Sequence, residues 1–79
     1  MLTEYIDAAL KRAVYEKLDD GYYYGEIPGI WGVYAHEKTL VDTQRELKSV
    51  LEDWIVFGLV NGFPVPPIDG IQITSTRVA

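Results

Sequence analysis

Apolar residues recur along this chain with two different periods, and each change of period marks the edge of an element. The opening LTEYIDAAL places Leu2, Ile6, Ala9 and Leu10 at near-helical spacing, with Thr3 available as an N-cap and Glu4 in the first turn. This predicts a short N-terminal helix over residues 1–10. A β-favouring run, RAVYEKL, follows and stops at Asp19-Asp20-Gly21, after which a tyrosine-rich run begins at Tyr22. Asp-Gly supplies the positive φ angles of tight hairpin turns, so the two runs read as paired antiparallel strands. Pro28-Gly29 breaks the second strand, and residues 32–36 (Gly-Val-Tyr-Ala-His) read as a third strand in a meander.

At Thr39 the period becomes helical. Thr39 serves as N-cap with Asp42 three residues on, in the manner of a capping box, and the helix should run to about Val60. Leu40, Thr43, Leu47, Val50, Leu51, Trp54, Ile55 and Gly58 form its expected buried stripe, opposite Asp42, Arg45, Glu46, Lys48, Glu52 and Asp53. Near its end, WIVFGLV is apolar on most sides, more than a helix lying on a small sheet requires, so Val56, Phe57 or Val60 should find a further cover. Asn61-Gly62 is a helix stop. The stretch FPVPP then runs extended towards a last short strand over residues 68–73, and residues 74–79 should be loosely held.

The expected architecture is therefore α+β: a short N-terminal helix, a three-stranded antiparallel meander, one long helix packed on the sheet and a final short strand. With 79 residues the chain has room for a single domain, 1–79. A chain of this size buries a modest core, which favours association, and the aromatic sheet and apolar helix end exceed what one helix can cover, so a homo-oligomer, a dimer or larger, is expected. Alternation puts Tyr22, Tyr24 and Glu26 on one face of the middle strand and Tyr23, Gly25 and Ile27 on the other, so neither face is plainly polar and both invite cover. The expected interface residues, towards a partner or a second copy of the chain, are Tyr22, Tyr24, Trp31, Tyr34, Val56, Phe57 and Val60. Trp31, an aromatic in the turn before the third strand, either folds back on the core or anchors a partner.

Charge narrows the choice of partner. Twelve acidic against seven basic residues leave −5, which repels a phosphate backbone and disfavours direct nucleic-acid binding. The same charge favours encounter with a basic protein. The tyrosines are read as core or protein interface, in preference to a base-stacking platform. No apolar run is long enough for a membrane span, no secretory leader is evident and cysteine is absent, so the expected location is cytoplasmic.

Groups for catalysis are sparse. His36 is the single histidine, Ser49 and Ser75 have no base in view, and no glycine-rich turn leads into a phosphate-binding Lys-Ser or Lys-Thr. Asp19 and Asp20 are read as turn residues. Glu16 and Glu26 are expected to lie across from each other on neighbouring strands, yet a pair without a third ligand makes a poor metal site. No catalytic residue, metal or cofactor is therefore assigned.

The order of these motifs resembles the HicB family: the Asp-Asp-Gly turn, the tyrosine-rich strand, Ile27-Pro28, Gly32, Lys38-Thr39, a long helix with Leu47 and Trp54, then Gly62, Pro64 and Pro66. The likeness spans about Tyr15 to Ile73. It implies a partial RNase H-like fold and a role as antitoxin to a HicA-like toxin, a small basic ribonuclease whose active site the antitoxin covers. Full-length HicB proteins usually carry a C-terminal DNA-binding domain, which this chain does not contain, so operator binding is not expected of it alone. The helix at 1–10 lies ahead of the usual HicB core. Two other readings stand beside this one. One is a homo-oligomeric structural or regulatory protein of the same fold without a toxin partner, and the other is a weak metal-dependent nuclease suggested by the fold analogy.

Overall fold

The computed structural model describes residues 2–71. In chain order the elements are α1 (Leu2–Lys11), β1 (Val14–Lys17), β2 (Tyr23–Glu26), β3 (Tyr34–Glu37) and α2 (Leu40–Asn61). The strands form one antiparallel sheet in the order β1-β2-β3. The molecule is thus α+β, with the long helix lying on β2 and β3 and α1 packed against α2.

The first hairpin forms where Asp19-Asp20-Gly21 sits. Leu18 donates its amide to the Tyr22 carbonyl at 2.7 Å, and Gly21 returns a bond to the Leu18 carbonyl at 3.0 Å. The Asp20 carboxylate accepts the Tyr22 amide at 2.9 Å, an Asx-type contact that explains an acidic residue here on backbone grounds. Pairing then runs Val14 with Glu26, Tyr15 with Gly25 and Glu16 with Tyr24. On the other side Gly25 pairs with Ala35 and Tyr24 with His36.

The row Tyr15, Gly25, Ala35 faces α2. Gly25 permits this approach, because a Cβ there would stand 2.6 Å from the Tyr15 ring and 3.2 Å from Thr43 Cγ2. Leu47, Leu51 and Ile55 continue the same contact along the helix and are fully buried, each stabilising the fold by about 1.5–3 kcal/mol.

Helix α2 begins as its sequence foretells. The Thr39 hydroxyl accepts the Asp42 amide at 3.0 Å, and the Thr43 hydroxyl bonds back to the Thr39 carbonyl at 2.8 Å, so the buried Thr43 leaves no polar atom unmet. At the other end Gly62 adopts φ 74°, and it and Phe63 both direct their amides to the Gly58 carbonyl. Of the expected stripe, Thr43, Leu47, Leu51, Ile55 and Gly58 are buried, while Val50 and Trp54 are half-buried at its margin. Leu40 instead lies exposed in the first turn of the helix.

Three details depart from the sequence reading. Thr3 lies inside α1, which already starts at Leu2, so it is not the cap. Tyr5, absent from the expected apolar stripe of α1, is fully buried and donates its hydroxyl to the Pro66 carbonyl. Residues 68–71 do not join the sheet. Pro64, Pro66 and Pro67 withhold amide donors, and Asp69 and Gly70 take φ values of 51° and 79°. The chain reverses there, and Ile68 and Ile71 exchange backbone hydrogen bonds of 3.0 and 2.8 Å with each other. Arg12, at the end of α1, holds this turn through the Asp69 carboxylate. The rest of the expected final strand and the 74–79 tail lie outside the described residues.

Candidate functional site

Helix α2 packs on the Gly25 side of the sheet with α1 against it, and among the described residues no helix covers the opposite side. Register sets out that open face as two rows, Val14, Glu26, Tyr34 and Glu16, Tyr24, His36. Tyr22, just outside β2, closes the second row by stacking on His36, with ring centroids 4.8 Å apart. Tyr24 and Tyr34 stack more loosely at 6.2 Å. The Tyr24 hydroxyl donates to Glu26 Oε1 at 2.9 Å. That bond to an anion raises the Tyr24 hydroxyl above its ordinary pKa, with desolvation and the charges of Glu26, Tyr34 and Glu16 adding to it. Tyr24 therefore stays a donor and fixes the direction of the Glu26 carboxylate.

The connection between β2 and β3 forms the rim of this face. Ile27-Pro28-Gly29-Ile30 closes a turn through an Ile30 amide to Ile27 carbonyl bond of 3.1 Å, with Pro28 setting one φ and Gly29 taking the other at 89°. Ile27, Ile30 and Val33 anchor the loop in the core. Trp31 sits between the anchored positions and is 93% exposed. It does not fold back, and of its two expected placements the structure adopts the solvent-facing one. Beside it a depression of about 450 Å³ opens between the loop and the sheet, lined by Tyr24, Glu26, Pro28, Trp31 and Tyr34 among others.

The expected interface residues thus divide between two surfaces. Tyr22, Tyr24, Trp31 and Tyr34 share the open sheet face and its rim. Val56, Phe57 and Val60 lie on the outer side of α2, away from the sheet, and are exposed; Phe63, not among the expected interface residues, joins them by packing its ring 5.5 Å from that of Phe57. Phe63 follows the helix stop directly, and the chain reversal at Gly62 is the feature that returns it to the helix.

Glu16 and Glu26 share the open face but are not cross-strand partners, since Glu16 pairs with Tyr24 and Glu26 with Val14. The hairpin is centred on Asp20, with Leu18 and Tyr22 as its flanking pair, so Glu16 meets Tyr24, two residues short of Glu26. Among the described residues no group of three or more His, Cys, Asp or Glu side chains is placed to hold a metal ion. His36 lies 4.0 Å from the Asp20 carboxylate as well as on Tyr22. No helix among the described residues is long and apolar enough to cross a membrane.

A two-layer α+β protein, with helices on one side of a three-stranded sheet and aromatic and acidic residues presented on the other, is the class these features define. The chain belongs to the UPF0150-like family, whose model matches residues 4–66. That stretch takes in most of α1 and ends at Pro66, the carbonyl that Tyr5 binds. Among solved structures, the crystal structure of TTHA0281 from Thermus thermophilus is similar, with 40% sequence identity and a TM-score of 0.88 over 96% of this chain and 95% of that one. No curated protein matches the chain.

Proposed function

We propose that this chain is a HicB-like, antitoxin-type module that works by binding protein and not by catalysis, and that it neutralises a HicA-like small basic ribonuclease by occluding it. The observation that carries the reading is the uncovered sheet face bordered by Trp31. An exposed tryptophan on an anchored loop, next to paired tyrosines, has the composition of a binding hot spot. The carboxylates of Glu16 and Glu26 on that face and a net charge of −5 suit a basic protein and repel nucleic acid. The family match and the sequence likeness to HicB support the same assignment, with the sheet and long helix as a partial RNase H-like fold. We place this activity in the cytoplasm.

The test is recovery of the tagged chain from its native cell with whatever binds it stoichiometrically. A small basic protein whose RNA cleavage stops when the purified chain is added, and resumes with a Trp31→Ala chain, supports the reading. Recovery of the chain alone refutes it.

A second reading is favoured by a separate observation, the exposed apolar surface of Val56, Phe57, Val60 and Phe63 on α2. Here the chain self-associates through that surface, as a structural or regulatory homo-oligomer without a toxin partner. Light scattering decides it: a chain that stays monomeric at high concentration rules it out.

A further inference from the structure

The depression beside Trp31 combines aromatic faces with a fixed carboxylate, which is the chemistry of a cation receptor more than of an apolar pocket. Tyr24 and Tyr34 present stacked rings to it, and Trp31 stands free at its rim. Glu26 Oε1 is held by the Tyr24 hydroxyl, and among the described residues no basic side chain pairs with Glu26. The carboxylate is therefore oriented and still available to an incoming donor.

We infer that this depression is a subsite for a single arginine side chain of a basic partner protein, with the guanidinium lying against the tyrosine rings and donating to the Glu26 carboxylate. The inference rests on the reading of the open face as a surface for a basic protein, and adds which group of the partner it takes. Arginine fits better than lysine on physical grounds. Its guanidinium is planar, weakly hydrated and able to stack on an aromatic ring while donating two parallel N–H bonds to a carboxylate, whereas an ammonium is a compact, strongly hydrated charge. The open form of the depression suits a flat group laid on the sheet, and Trp31 is placed to cover its outer side.

The experiment titrates the purified chain with the blocked tripeptides acetyl-Gly-Arg-Gly-amide, its lysine counterpart and its citrulline counterpart, the last of similar shape but neutral. Binding is read by NMR at the Trp31 indole N–H and at the Tyr24 and Glu26 amides, with the Trp54 indole, half-buried on the helix side, as internal reference. The expected result is a saturable shift at Trp31, Tyr24 and Glu26 with the arginine peptide, a weaker one with lysine and none with citrulline. Glu26→Gln, an exposed substitution that leaves the fold intact, should weaken arginine binding about tenfold, as expected for loss of a charge-assisted hydrogen bond. Equal binding of citrulline, absence of a saturable shift or an unchanged affinity in the Glu26→Gln chain overturns the inference. The two levels separate. A basic partner that binds the Glu26→Gln chain undiminished removes the arginine subsite and keeps the protein-binding reading; arginine binding of the expected kind without any basic partner in the cell keeps the subsite and removes the antitoxin.

Discussion

The ring of Tyr15 on β1 occupies the space above Gly25 on β2, so closely that a Cβ at Gly25 would stand 2.6 Å from two of the ring carbons. The same missing side chain lets Thr43 of α2 approach the sheet from above. One glycine in mid-strand thus sets how near the helix comes to the sheet and carries Tyr15 into partial burial, which raises its hydroxyl above the ordinary tyrosine pKa.

Gly25→Ala should therefore destabilise the protein by about 1–3 kcal/mol, the usual range for overfilling a packed site. Chemical denaturation of the variant checks this, and an unchanged midpoint would mean that the Tyr15 ring swings aside at no cost. A paired Gly25→Ala, Tyr15→Leu variant should recover part of the loss, since the smaller side chain vacates the contested space.

Thr39→Ala removes the hydroxyl that caps α2 at the Asp42 amide and should cost about 1 kcal/mol. Thr39→Asp should keep most of the stability, because a carboxylate accepts the same amide and also suits the helix N-terminus. Thermal unfolding followed by circular dichroism distinguishes the two variants.

Burial raises the Tyr5 hydroxyl above its ordinary pKa, and the group donates to the Pro66 carbonyl as a neutral phenol. In the unfolded chain the same phenol ionises near pH 10. Above that pH the native state binds more protons than the unfolded one, so stability is fully present below about pH 10 and falls as pH rises towards the folded-state value. Tyr5→Phe should lower stability at neutral pH through the lost hydrogen bond and flatten this alkaline decline. Denaturation midpoints measured from pH 8 to 11 would show both effects, and parallel curves for the two chains would show that Tyr5 does not drive the decline.

Trp31→Ala should leave stability within about 0.5 kcal/mol of the parent, since a side chain 93% exposed contributes little to the core. Its effect on partner binding should be about 2 kcal/mol or more, the mark of a hot-spot residue. Calorimetry of unfolding and of binding gives the two numbers separately, and a variant equally impaired in both would show that the loop depends on Trp31 for its fold.

Val60→Glu and Phe57→Glu place charge on the outer side of α2, well away from the sheet. Both should abolish any concentration-dependent self-association while leaving helix content unchanged. Sedimentation at several concentrations reads this directly, and association that persists in both variants would assign it to another surface.

Much of this fold is legible in the amino-acid order because it depends on neighbours in the chain. Asp19-Asp20-Gly21 closes its hairpin through bonds that span only residues 18–22. Thr39 caps α2 through the amide three residues on, and Gly62 ends it by turning amides back to Gly58. The alternation that sets Tyr24 and Glu26 on one side of β2 and Gly25 on the other follows from strand geometry alone. Other features depended on contacts between residues far apart in sequence. Tyr5 is core because it meets Pro66, and residues 68–71 form a turn braced by Arg12 instead of a fourth strand. Composition alone could not divide the exposed aromatic and apolar residues into a sheet-face group around Tyr24, Tyr34 and Trp31 and a helix-face group around Phe57 and Val60. Their spacing sets the face each residue takes within its own element, whereas the choice of which sheet face is covered belongs to the packing of α2 over Gly25, with Thr43 against the strand, and that packing leaves the tyrosines on the other face.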